Sequence, residues 1–234
     1  MEHWLEFAKG PFFRFSFLVM LLGLARNAAI AVTGMVQAYN RAGDKNVSWF
    51  EVARNTAAWL IPVRHLNITN RLFYTIVSFV FHIATIIVPI FLYAHIQLWR
   101  RGLGISWAAL PQQWADWLTV VVILTGLWLV IGRLAYSPSR SISRFQDVLL
   151  PPLIVVSFIT GFAAAHPHFN PFSYQGTLLV HVLSGDILLL LIPFSKLTHV
   201  ILWPFTQLAT ELAWRFPPDA GSKIVATLGK EDKV

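Results

Sequence analysis

Residues 181–199 read HVLSGDILLLLIPFSKLTH. A histidine stands at each end, and nearly everything between them is apolar. Such a run belongs in lipid or in a deep core. The two histidines are eighteen positions apart, which is five turns of α-helix at about 3.6 residues per turn. One continuous helix would aim both rings the same way, about 27 Å apart along its axis. The hydrocarbon core of a bilayer is about 30 Å thick. The run therefore predicts a membrane-spanning helix with one imidazole near each face.

The composition agrees. Of 234 residues, 56% are hydrophobic and 12% charged, with a mean hydropathy of +0.60. A soluble domain carries about 25% charged residues. The apolar residues come in long blocks rather than in the short alternating segments of a barrel, so the fold class is an all-α integral membrane protein. There is no cysteine. That excludes disulfides, cysteine-ligated iron–sulfur clusters and thioether-attached haem. Any metal or haem must be held by histidine, methionine or carboxylate. The net charge of +7 fits basic cytoplasmic loops rather than nucleic-acid binding. The start, MEHWLEFAKGPFFRF, has no small-residue cleavage site, so the first apolar block is expected to be a retained span.

Hydropathy predicts a five-helix transmembrane bundle with spans at Phe12–Val32, Leu72–Trp99, Trp114–Tyr136, Phe145–His166 and Gly176–Trp203. Trp99, Trp107, Trp114, Trp117 and Trp203 lie near predicted ends, as interfacial anchors do. An odd number of spans puts the termini on opposite sides. One set of connecting segments holds Lys9, Arg100 and Arg101. The other holds Arg41, Lys45, Arg54, Arg64, Arg71, Arg140, Arg144, Arg215, Lys223, Lys230 and Lys233, eleven against three. The positive-inside rule then places the N-terminus outside and the C-terminus in the cytoplasm. A single membrane domain is expected over 1–203, with a cytoplasmic tail over 204–234. Within the long 33–71 connection, Ser48 and Glu51 have capping-box spacing. Trp49, Phe50, Ala53, Ala57 and Leu60 follow at helical spacing. An amphipathic segment is predicted over about 46–70, its helix at 49–61, lying on the membrane face or serving a partner.

Eight histidines are present. His3 reads as a solvated terminus and His65 as a loop residue. His82 and His95 fall in the second span, His181 and His199 in the fifth. A polar side chain in the membrane is costly and marks function. The two spans run antiparallel in this topology, so His82 pairs with His199 near the inner face and His95 with His181 near the outer face. Each pair can supply the two axial ligands of one haem iron from facing helices. Two such sites across the bilayer make an electron path. One register does not match. His82 and His95 are thirteen residues apart, about 20 Å on an ideal helix, and their directions differ by about 140°. Pro89 and Pro193 predict kinks that would absorb part of the difference. His166 and His168, at the outer end of span four, are rival outer ligands to His95.

The run from His181 to His199, with Gly185 and Pro193-Phe194-Ser195-Lys196-Leu197, resembles the last span of respiratory nitrate reductase gamma subunits. Phe81-His82-Ile83 resembles the start of their second span. The resemblance extends to size, span number and orientation. It implies a di-haem b, quinol-oxidising subunit of the prokaryotic cytoplasmic membrane that passes electrons to a peripheral oxidoreductase. It implies that His82 and His199 hold the inner haem and that His181 is one ligand of the outer haem. In that family the second histidine of span two follows the first by ten residues, a position held here by Leu92. His95 is instead similar to the arrangement in gamma-like subunits that partner heterodisulfide-reductase-like or sulfite-reduction-linked proteins. The resemblance thus implies haem without specifying nitrate as acceptor.

Asp186 lies within span five, where a carboxylate is neutral, paired or part of a proton path. Beside an outer haem it is a candidate relay for the protons that quinol oxidation releases. Arg26 and Arg133 lie toward the inner ends of spans one and three. They are candidate partners of haem propionates, which guanidinium binds bidentately. The resulting expectation is an electron-transfer cytochrome b with two haem b. Menaquinol or ubiquinol is the substrate, and membrane lipid surrounds it. The peripheral iron–sulfur or molybdoenzyme-type partner is cytoplasmic and carries the terminal catalytic site. The alternatives are the same cytochrome reducing quinone, a partner on the outer side, a cofactor-free transporter or proton channel using histidine and aspartate, and a structural anchor without cofactors.

Overall fold

The structure, a computed structural model, describes residues 1–43, 45, 48–59, 72–213 and 219–229. Among these, all regular structure is helical. The helices are α1 (Glu2–Phe7), α2 (Phe13–Arg41), α3 (Trp49–Trp59), α4 (Leu72–Phe91), α5 (Tyr93–Leu103), α6 (Gln112–Ala135), α7 (Ser137–Ser141), α8 (Phe145–Ala165), α9 (Tyr174–Leu191), α10 (His199–Ala213) and α11 (Ala220–Thr227). A wider turn over Ala8–Phe12, containing Pro11, joins α1 to α2.

Five helical stretches are long and apolar enough to cross a membrane: Glu2–Arg41, Leu72–Phe91, Gln112–Ala135, Phe145–Ala165 and Tyr174–Phe194. Large apolar side chains such as Leu22, Leu124 and Ile131 point outward from them, as suits a lipid surround. The predicted spans stand in this order, with two corrections. The first helix runs nine residues further than Val32, to Arg41. Spans two and five are each broken, as described below.

Contacts divide the described chain into two compact units. One is built from Met1–Met20 and the chain through Leu191, the other from Leu21 onward and from Ile192 onward. In the first unit α4 packs on α6, α6 on α8 and α8 on α9. Phe81, Ala84 and Val122 form the core of the α4–α6–α8 contact, with Leu118, Val121, Leu129, Ile154 and Phe158 packed against it. Gly126 permits the close approach: a Cβ there would stand 2.5 Å from Val155 Cγ2 and 3.0 Å from Phe81 Cε2. Asp147 caps α8, accepting the Arg144 backbone N–H at 2.9 Å. The N-terminal segment lies along α9, where Gln175 donates to Glu2 at 3.5 Å.

In the second unit α3 packs on α10. The helix begins immediately after Ser48, where the cap was predicted, and Glu51 accepts from Arg54 at 3.2 Å. Ala58 is buried, whereas Trp49 and Phe50 are exposed. The rest of the predicted segment, 46–47 and 60–70, lies outside the described residues, as do His65, Arg64, Arg71, Arg215, Lys230 and Lys233. At the start of α11, the Lys223 ammonium sits 2.5 Å from Asp219 and holds its carboxyl below the usual carboxylate range.

Candidate functional site

Span two is two helices. Leu92 is extended, at φ −70° and ψ 126°, and separates α4 from α5. Pro89 sits in the last turn of α4. In an unbroken helix the carbonyls of Pro89, Ile90 and Phe91 would accept from the amides four residues on. The break frees all three, and in a membrane each needs another donor. His95 Nδ1 lies 3.1 Å from the Pro89 oxygen. The Trp107 indole donates to Ile90 at 2.9 Å. The Leu110 amide donates to Phe91 at 2.9 Å. The three freed carbonyls are therefore satisfied. It also ends the register argument that separated His82 from His95, because α5 starts its own helical phase.

His95 now faces His181. Their ring centroids are 6.0 Å apart and their planes are within 12° of parallel. Both residues belong to the first unit. His181 Nδ1 lies 2.9 Å from the Ser157 carbonyl on α8. A carbonyl oxygen can only accept, so Nδ1 of each ring carries the proton and Nε2 carries the lone pair. Metal-bound histidines are typically held this way by a backbone carbonyl. A metal bound at about 2 Å by one nitrogen of each ring would separate the centroids by roughly 6 Å.

Two small residues on α8 shape this site. Gly161 lies flat beneath the His181 ring: a Cβ there would be 2.8 Å from Cε1 and 3.0 Å from Nδ1. Ser157 Oγ donates to Ser184 Oγ at 2.9 Å, and Ser184 Oγ is 2.8 Å from the His181 carbonyl. This buried link ties α8 to α9 at the level where the Ser157 carbonyl holds the ring. Neither Gly161 nor the serine pair stood out in the sequence. The available signal was a glycine in an apolar span, which often marks a close packing contact.

Span five is also broken, and the expectation of one continuous helix from His181 to His199 is corrected. α9 ends at Leu191; tight turns follow at Ile192–Phe194 and Lys196–Thr198, with Ser195 extended at φ −126° and ψ −176°. Pro193 has no amide hydrogen and cannot continue the ladder. Carbonyls within the break again find donors. Thr198 Oγ1 shares its one hydrogen between the carbonyls of Ile192, at 2.8 Å, and Ser195, at 2.7 Å. Asn27 of α2 donates to Pro193 at 2.8 Å, and Gly23 leaves room for the proline ring. His199 Nδ1 lies 2.7 Å from the Lys196 oxygen. The five-turn spacing is thus not carried by a single straight axis.

His82 Nδ1 lies 2.6 Å from the Ser78 carbonyl on α4. All four histidines of spans two and five therefore give Nδ1–H to a main-chain oxygen. His82 belongs to the first unit and His199 to the second. The rival histidines are engaged elsewhere. His166 Nε2 is 3.0 Å from Asp116 Oδ1, without hydrogen-bond alignment, and its ring packs on Phe162 at 4.5 Å. His168 packs on Phe169 at 4.1 Å. Asp186 is 1% exposed, and its Oδ2 has no hydrogen-bond partner among the described residues. Arg133 reaches Asp147 at 3.5 Å and Ser143 at 3.4 Å. Arg26 is exposed and donates to Asn27 at 3.3 Å.

A protein of Nitratidesulfovibrio vulgaris is 28% identical to this chain over 200 residues. The match covers 84% of this chain and 87% of that protein. No protein-family model matches the chain, and no solved structure does.

Proposed function

We propose that this chain is a di-haem b membrane subunit of a respiratory complex. It oxidises quinol near the outer face of a prokaryotic cytoplasmic membrane and passes electrons inward to a peripheral partner. The observation that carries this reading is the facing pair His95 and His181, near-parallel at 6.0 Å, with both Nδ1 atoms engaged by main-chain carbonyls. Such a hydrogen bond alone would also suit a structural imidazole. A structural imidazole has no need of a second one facing it across two helices.

His95 and His181 would hold the outer haem; the resemblance offers His82, of the first unit, and His199, of the second, for the inner one. Support for the inner pair is the shared Nδ1 arrangement and the resemblance at Phe81-His82-Ile83 and Pro193–Leu197. Bound haem supplies reversible one-electron redox chemistry, with its potential set by ligands and surroundings. Quinol oxidation breaks two O–H bonds, forms two carbonyls and releases two electrons and two protons. His95 and His181 would hold the group that accepts these electrons one at a time. Asp186, buried on α9 five residues beyond His181, is the candidate relay for the protons that quinol oxidation releases. Arg26 and Arg133 are the residues offered to propionates, Arg133 at the cost of its contact with Asp147. The basic segments at 33–71, 137–144 and the tail face the cytoplasm and meet an acidic partner surface of iron–sulfur or heterodisulfide-reductase-like type.

Ligand assignment has a direct spectroscopic test. His95→Ala and His181→Ala should each remove one low-spin haem component from a redox titration of the α-band. His166→Ala and His168→Ala should keep both components. Loss of a component in His166→Ala, with both kept in His95→Ala, would move the outer ligand to the loop. Gly161→Leu should act like His181→Ala, because the new side chain occupies the ring's place.

The proton role of Asp186 is separable from haem binding. In Asp186→Asn, haem spectra should be unchanged while quinol-driven haem reduction slows by roughly 10²-fold, the scale of a lost acid–base group. An unchanged rate would remove Asp186 from the proton path.

Orientation can be read cleanly because the chain has no cysteine of its own. In intact cells a membrane-impermeant maleimide should label Lys9→Cys and not Lys223→Cys. Labelling of Lys223→Cys alone would invert the topology and the direction of electron flow.

A further inference from the structure

A cavity of about 790 Å³ opens between α6, α8, α9 and the loop that joins the last two. Its volume falls in the range of small-molecule sites, about 300–1,000 Å³. We propose that this cavity, walled by Ile123, Thr160, Phe162, Phe169, Asn170 and Thr177, binds the quinol ring. The inference rests on the quinol-oxidising reading and gives it a location.

Three features fit a flat, amphipathic ring. The walls are mainly aliphatic and aromatic, and Phe162 and Phe169 offer ring faces for stacking. The polar groups are few and concentrated. Asn170 Nδ2 donates to Thr177 Oγ1 at 2.9 Å, and Asn170 Oδ1 accepts from the Phe172 amide at 3.0 Å. An amide and a hydroxyl side by side can exchange their mutual bond for a donor and an acceptor on a quinol oxygen. A lipid acyl chain has no use for such a pair. The loop end of the cavity is lined by Phe169 and Phe172, exposed by 69% and 77%, which suits a ligand that enters from the bilayer with an isoprenoid tail.

Position is the fourth feature. Thr160 precedes Gly161, whose open face receives the His181 ring. Val180, also in the wall, precedes His181 itself. The cavity therefore backs onto the two segments that build the His95–His181 site. An electron leaving a ring bound here has a short route to the outer ligand.

The test uses the full chain purified with its native haem, and a short-tailed naphthoquinol as probe. A photoreactive azido-naphthoquinone should crosslink within 159–177, and excess naphthoquinol should suppress the label. Ala163→Trp, which fills the cavity, should abolish that label and slow haem reduction by naphthoquinol, while dithionite still reduces all the haem. Thr177→Val keeps the shape and removes the hydroxyl; it should weaken apparent naphthoquinol affinity about tenfold, the scale of one hydrogen bond. Label elsewhere, label spread over all lipid-facing helices, or wild-type naphthoquinol kinetics in both variants would overturn the site. The crosslink and the haem content fail independently. Haem present with the label elsewhere removes the cavity and leaves the cytochrome reading. Label at 159–177 on a chain without haem keeps the quinone site and removes the cytochrome.

Discussion

An imidazole among apolar helices must give its N–H to something, and for His82, His95, His181 and His199 it is a main-chain carbonyl. That constraint organises both broken spans. Where α4 stops at Leu92, His95 turns back to Pro89. Where α9 stops at Leu191, His199 takes the oxygen of Lys196. An unsatisfied backbone group in lipid costs several kcal/mol by order of magnitude, so neither break would persist without these donors. The bond that repairs the helix also fixes the ring's tautomer. Structure and candidate chemistry therefore depend on the same hydrogen atom.

The same economy explains the neighbours. Trp107 and Leu110 arrive from the segment after α5 to satisfy the remaining carbonyls of the first break. Asn27 arrives from α2 for the second. Gly161 is empty of side chain where His181 needs to lie. Ser157 and Ser184 lock α8 to α9 beside it. The result is one imidazole pair held from three helices, α5, α8 and α9, with each Nδ1 on a main-chain carbonyl.

Much of this was legible in the sequence. Five long apolar blocks, in order, follow from hydropathy alone, and four histidines stand out because imidazoles are rare in such blocks. The closeness of His95 and His181 follows from antiparallel spans. The breaks were not legible. Pro89 and Pro193 announce that a helix will bend within a turn or so, but the direction depends on donors supplied by residues such as Trp107 and Asn27, which no local pattern connects to the prolines. The assumption of a straight axis between His181 and His199 failed for that reason. Gly161 was invisible because a packing glycine is defined by what lies against it.

The proposed function stands or falls on haem held by the facing histidines. The most direct measurement is the pyridine-haemochrome content of the purified chain, made in cells supplied with haem, read beside its dithionite-reduced minus oxidised spectrum. The account predicts two b-type haems per chain, with the α-band of bis-histidine cytochromes. A colourless protein from the same preparation would contradict it, leaving the histidines and Asp186 to a cofactor-free proton path.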